Sequence, residues 1–274
     1  MKLSSARFSA KASALAFAAL MPLAAHADRL WLLPSATVLS GNDTWVSVDA
    51  AVSDDLFIAG HAPLRLDGLV ITAPDGSTGK AENAVTGRFR SVFDLQLTQD
   101  GTWRITVDNQ MIGAQYKLDG EKKRWRGSVE AFAKEVPANA QDLEVMENDM
   151  RVETFVAHGK PSTTALKPTG HGLELVPISS PVDLVSGSTG NFQLMLDGKP
   201  AANVKVAVVP GGTRYRDDIK ETTLTTDQDG KFNVKFADAG MYWLGAQVRD
   251  NHTQLKQAKM RRAAYAATLE VLPQ

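Results

Sequence analysis

Apolar and polar residues alternate in short runs along most of the chain. Trp103, Ile105 and Val107 alternate with Arg104, Thr106 and Asp108; Val204, Val206 and Val208 with Lys205 and Ala207; Phe232, Val234 and Phe236 with Asn233 and Lys235. A period of two places one set of side chains on each face of an extended backbone, so each run predicts a half-buried β-strand. Between such runs stand PDGS at 74–77, QDGT at 99–102, LDGK at 196–199 and QDGK at 228–231, where glycine takes the positive φ of a tight turn. Strand and turn repeated at this spacing predict an all-β protein made of antiparallel, Ig-like β-sandwiches.

Two segments break the rhythm. Residues 121–135, EKKRWRGSVEAFAKE, lack alternation and predict a non-strand insertion near 121–137, a short basic helix or a crossing loop, stopped by Pro137. Residues 159–170, GKPSTTALKPTG, hold two prolines, two glycines and four Ser or Thr and predict a linker. The expected organisation is therefore two sandwich domains, one over 28–158 and one over 171–274, the second of a usual size for a single sandwich.

The first 27 residues have the layout of a secretory signal peptide: basic Lys2, Arg7 and Lys11, an apolar stretch Ala12–Leu20, then small residues. Cleavage after Ala27 satisfies the small-residue rule through Ala25 and leaves Asp28 at the mature N-terminus; cleavage after Ala25 would leave His26 there, whose amine and imidazole together chelate Cu(II) or Ni(II). Export to a periplasm is expected. No later stretch approaches the roughly 20 apolar residues of a membrane-spanning helix, so no transmembrane segment is expected in the mature chain.

All three early basic residues leave with the signal while all 31 Asp and Glu remain, so the mature chain is net acidic. Nothing in that balance asks for nucleic acid. The absence of cysteine excludes disulfides and thiolate metal sites, which leaves histidine and carboxylate as the strong metal ligands. No nucleophile elbow, HExxH helix, phosphate loop or dinucleotide turn is present, and the pairs Asp54-Asp55 and Asp217-Asp218 fall in loops, so no enzymatic activity is expected.

Five histidines remain to be weighed: His26, His61, His158, His171 and His252. No two stand at a local ligand spacing, so a shared site must be assembled by the fold. His171, between two glycines, reads as exposed. His61 follows the apolar run DLFIAG and precedes Pro63, which fixes the chain beside it; Asp54, Asp55 and Asp67 are near enough in sequence to join it, and a structural hydrogen bond from its ring is the competing account. The basic aromatic segment KKRWRG at 122–127 reads as a solvated loop with an anchoring tryptophan, because four charges on an acidic protein are too few to hold a membrane. TDQDGKF at 226–232 reads as a tight turn with Asp227 and Asp229 capping amides. Calcium is rejected there, since the residue six beyond its glycine is Phe236. Trp45, Trp103 and Trp243 lie in strand patterns and are expected in cores, which leaves carbohydrate binding unsupported.

Taken together, RLWLLPSATVLSG, VSVDAAVSDDLF, HAPLRLDG, GHGLELVPISSPVDLVSG, LDGKPAANVKV, TTDQDGKF, GMYWLGA and RRAAYAATLEVLPQ resemble a bacterial periplasmic family of unknown function, whose members are described as periplasmic components of cobalt or nickel uptake systems. The second half is similar to the β-sandwich modules of the carboxypeptidase regulatory type. The resemblance implies sandwiches, export, a metal transporter as partner and a divalent transition metal (Ni, Co or Cu) as ligand. Related chains carry a histidine next to the cleavage site where this one has Asp28, so the contacts it implies here are His61 and the amine and carboxylate of Asp28. The competing class is an interaction module, without metal, that docks an envelope protein such as an outer-membrane receptor.

Overall fold

A computed structural model describes residues 29–274; the expected signal peptide and Asp28 lie outside the described residues. The first half contains β1 (Arg29–Pro34), β2 (Val38–Leu39), β3 (Trp45–Ser53), β4 (Ala62–Pro63), β5 (Leu69–Thr72), β6 (Glu82–Thr86), β7 (Ser91–Gln96), β8 (Gly101–Leu118), β9 (Glu121–Gly127), α1 (Val129–Glu135) and β10 (Gln141–His158). The second contains β11 (Leu173–Pro177), β12 (Thr189–Leu196), β13 (Lys199–Pro200), β14 (Lys205–Pro210), β15 (Thr222–Thr225), β16 (Lys231–Lys235), β17 (Gly240–Asp250) and β18 (Ala258–Val271). The protein is an all-β sandwich structure, as the alternation predicts.

Three sheets build it. One has the order β1-β3-β7-β6 with β4 beside β3, and another is formed by β11, β12, β13 and β16. Between them a nine-stranded sheet runs β15-β14-β17-β18-β10-β8-β5, with β2 on β10 and β9 on β8. This sheet takes strands from both halves of the chain. Its seam is a parallel pairing of β10 with β18, from Met146 opposite Met260 to Thr154 opposite Thr268, in a molecule whose other long pairings are antiparallel.

Alternation along β10 explains how one sheet serves two cores. Val152 and Val156 pack with Trp103, Ile105, Val107, Phe93 and Leu32 in the first core. Phe155 and Ala157, on the other face, pack with Tyr265, Leu269, Phe192 and Leu194 in the second. Each sandwich therefore borrows one layer from the same sheet.

Two expectations are revised by this arrangement. Residues 121–127 are not part of an insertion but a strand, paired with β8 from Ile112–Gly127 to Leu118–Glu121. Its turn is Asp119-Gly120, with φ of 53° and 80°, the mirror-image geometry that matches strand twist. Only the following stretch is helical: Ser128 caps it by accepting from Ala131 N–H at 3.2 Å, and Phe132 is buried against Trp125. The 159–170 segment is packed rather than extended: Ser162 and Thr102 exchange two 3.0 Å hydrogen bonds, and Ala165 and Leu166 are buried.

Among the tryptophans, Trp103 is buried as expected. Trp45 is exposed, because it lies at the strand entrance, where its indole N–H donates to Asp43. Trp243 is half-buried and donates to the Leu30 carbonyl at 2.9 Å. No helix among the described residues is long and apolar enough to cross a membrane.

Candidate functional site

The same two-residue period places Glu147, Asp149, Arg151 and Glu153 on the face of β10 that turns toward the second sandwich, and all four are buried. Buried charge is tolerated only when paired and hydrogen-bonded. Arg151 donates to Glu174 at 2.9 Å and Asp108 at 2.6 Å, and Glu153 lies 3.6 Å from it. Burial pushes the Arg151 pKa down, but the carboxylates of Glu153, Asp108 and Glu174 outweigh it and hold the pKa above its usual value. Glu153 also accepts from Thr106 at 3.0 Å and from the Tyr265 hydroxyl at 2.8 Å. Burial, followed by the Glu153 charge, raises the Tyr265 pKa well above that of an ordinary tyrosine. Glu174 in turn accepts from the amides of Thr169 and Gly170, so the expected linker is fastened to the seam.

Toward the solvent end of this row a second cluster forms. Asp197 comes from the turn after β12, Asp250 from the end of β17, His252 from the loop beyond it, and Arg261 from β18. Arg261 donates to Asp197 at 2.6 and 3.1 Å and to Asp250 at 2.7 and 3.1 Å, two forked pairings. The hydrogen bond from Arg261 lowers the Asp197 carboxyl. Burial raises Asp250, but the hydrogen bonds from Arg261 and the His252 amide overcome it and leave the pKa lowered. One ligand atom from each of Asp197, Asp250 and His252 lies within 4.8 Å of the others. Two ionised carboxylates and an exposed imidazole make an oxygen and nitrogen donor set that suits a borderline divalent ion. Arg261 already occupies the space between the carboxylates, so a cation must compete with a guanidinium for them.

His61 is exposed in a bend ahead of β4 and is not brought into this cluster. Of the carboxylates near it in sequence, Asp67 pairs with Arg65 at 2.7 Å and Asp55 lies 3.8 Å from Arg214. His171 is half-buried, not exposed, because Gln110 reaches it at 2.7 Å and the packed 159–170 segment seats the loop. His158 stands 2.9 Å from Asp100 and 2.9 Å from the Gly41 carbonyl. At the turn of residues 226–232, Asp227 accepts from the amides of Asp229 and Lys231, and Gly230 has φ 73°. The structural reading of that turn holds, with Asp227 rather than Asp229 as the cap.

The cluster of Asp197, Asp250 and His252 escaped the sequence because Asp197 stands more than fifty positions before the other two, and Asp197 and His252 sit in loops with their own local reason to be polar. The LDGK turn and the RDNHT loop are both visible signals; the pairing of β17 with β18 sets Asp250 opposite Arg261, and Arg261 reaches across to Asp197 of the other sheet.

Fold and site together define a two-sandwich all-β protein with charge clusters at a shared sheet. A family model described as a domain of unknown function, DUF4198, matches residues 25–250, and the chain belongs to that family. No curated protein matches the chain. Among solved structures it is similar to the D0-D1 domain of intimin, at 11% identity over 88% of this chain and 97% of that one, with a TM-score of 0.23. It is also similar to the human OSCAR ligand-binding domain, at 12% identity over 88% and 97%, TM-score 0.21. A third is a DUF4785 family protein from Legionella pneumophila subsp. pneumophila str. Philadelphia 1, at 8% identity over 88% and 55%, TM-score 0.24.

Proposed function

We propose that this is an exported, periplasmic, non-catalytic accessory of transition-metal uptake, which carries nickel or cobalt to a transporter. The observation that carries the reading is the meeting of Asp197, Asp250 and His252 within 4.8 Å. Arg261 holds the carboxylates in their ionised form when no ion is bound, and an entering ion takes them over at the cost of that pairing. Such competition weakens binding and suits a carrier that must release its cargo. His61 and the mature N-terminus at Asp28, which the family resemblance implies as contacts, form a separate candidate pair.

The test is calorimetric titration of the mature protein with Ni(II) and Co(II). One site is expected, lost in His252→Ala and kept in His61→Ala. Loss in His61→Ala alone moves the site to the other pair, and no binding above that of a histidine-free variant ends the metal reading. The second reading, docking of an envelope protein such as an outer-membrane receptor, is favoured by one feature: a large part of the central sheet is left uncovered by either neighbouring sheet.

A further inference from the structure

The uncovered part lies on the face of the central sheet that bears the first core. The β1-β3-β7-β6 sheet covers Trp103, Ile105, Val107, Val152, Val156 and Ala266, and beyond them the same face continues in the open. Strand register gives its content. Arg126, Gly113, Met146 and Met260 form one row across β9, β8, β10 and β18. Met111, Asn148, Arg262 and Arg249 form the next, across β8, β10, β18 and β17.

Two adjoining grooves run over this face, of about 820 and 720 Å³, and Arg262 lines both. Gly113 in the first of these rows and Ala264, opposite Met150 in the row beyond the second, are small and leave the troughs open. Arg124, Arg126, Arg249 and Met260 are exposed, while Met146 and Met150 are half-buried between them. Arg262 donates to Gln247, and the charges of Arg249 and Arg126, after burial, push its pKa down. Among the described residues no carboxylate pairs with Arg124, Arg126, Arg249 or Arg262. Glu144 is the carboxylate lining the second groove. A net-acidic protein thus gathers unpaired, mutually repelling arginines on one sheet face, an arrangement unfavourable by itself that an anionic partner relieves.

We infer that this face docks an extended, acidic polypeptide segment of a partner protein, whose carboxylates meet Arg126, Arg249 and Arg262 and whose apolar side chains rest on Met146, Met150 and Met260. Guanidinium groups take carboxylates in forked pairs, and methionines provide an adaptable apolar floor. The methionine floor selects against a polyanionic glycan, which offers charge without apolar groups to rest in the troughs. The inference names the surface and partner chemistry of the docking reading and rests on that reading.

The direct test uses a synthetic peptide of alternating Glu and Val, titrated against the mature protein. Binding that weakens about tenfold or more in Arg126→Glu/Arg249→Glu and falls with added salt is expected. A Lys and Val peptide should bind that variant and not the native protein. Equal binding to both proteins overturns the inference, as does binding of heparin or of phosphatidylglycerol vesicles in place of the peptide. Dimerisation abolished by the same double variant overturns it too, because the face would then be a self-contact. A photo-crosslinker in the cell envelope separates this failure from that of the docking reading. Crosslinks to one acidic protein from Gln247, on the face, support both. Crosslinks only from the remote, exposed Val85 overturn the inference and keep docking, and none from either position overturns both.

Discussion

The two faces of the central sheet carry nearly the same kinds of residue and treat them in opposite ways. On the face toward the second sandwich, Arg151 and Arg261 are buried, and each holds two or more carboxylates. On the opposite face, Arg124, Arg126, Arg249 and Arg262 hold none among the described residues. Arg261 and Arg262 are adjacent in the chain and point to opposite faces, so the contrast turns on a single residue of register. A guanidinium in a core must be neutralised, whereas one facing water need not be, and a cluster left unpaired there is available for a partner. The buried face is accordingly structural and the open one is the surface to probe for binding.

Substitutions sharpen that contrast in order of size. The largest effect belongs to Arg151→Met, which leaves Glu153 and Glu174 buried without their cation; urea unfolding should show a loss of about 3–5 kcal/mol. Tyr265→Phe removes one of the hydrogen bonds to Glu153 and should cost about 1–3 kcal/mol by the same measurement. Arg126→Gln and Arg249→Gln on the open face should change stability by less than about 0.5 kcal/mol, in the stabilising direction, since each relieves repulsion at Arg262. A loss there as large as that of Arg151→Met would erase the distinction between the faces.

Acid provides a further test. Asp197 and Asp250 have folded pKa values below their ordinary value of 3.8, so their contribution is fully present above that pH and is lost as pH falls through the lowered values. Asp149 runs the other way: burial raises its pKa, so its ionisation opposes folding above its raised value and is relieved on acidification. Thermal melts from pH 6 to pH 2 should therefore show a decline below about pH 4 that is smaller in Asp197→Asn. An unchanged slope in that variant would mean that the pairing with Arg261 does not form in solution.

Much of the fold was legible in the sequence, and the reasons for the exceptions are physical. Alternation at Phe232–Phe236 marked a strand because it has one wet and one dry face. Trp103–Val107 alternates likewise in sequence, but it is buried on both faces, since Arg104 and Thr106 bond to Lys167 and Glu153 on the side of the second sandwich. The turn at 228–231 was legible because its geometry is local. β9 was missed because Lys122, Lys123, Arg124 and Arg126 show no apolar alternation, although Asp119-Gly120 ahead of them carries the hairpin signal. The β10–β18 seam joins residues more than a hundred positions apart and leaves no local mark. Even the alternation of Glu147, Asp149, Arg151 and Glu153 misleads, since charge at every second position reads as a wet face, and here it is buried against a second sandwich. The candidate site shared that fate: His252 and Asp197 were visible as turn residues, while their meeting depends on two sheets brought together through Arg261.

That seam is the central claim, and it predicts that the two sandwiches unfold together. The most direct measurement is urea unfolding of the mature chain followed by fluorine NMR, with fluorotryptophan at Trp103 reporting the first core and fluorophenylalanine at Phe192 reporting the second. Coincident midpoints, shifted together by Arg151→Met, are the expected result. Two separate transitions, with Arg151→Met moving only one, would show that each sandwich stands without the shared sheet and would contradict the account.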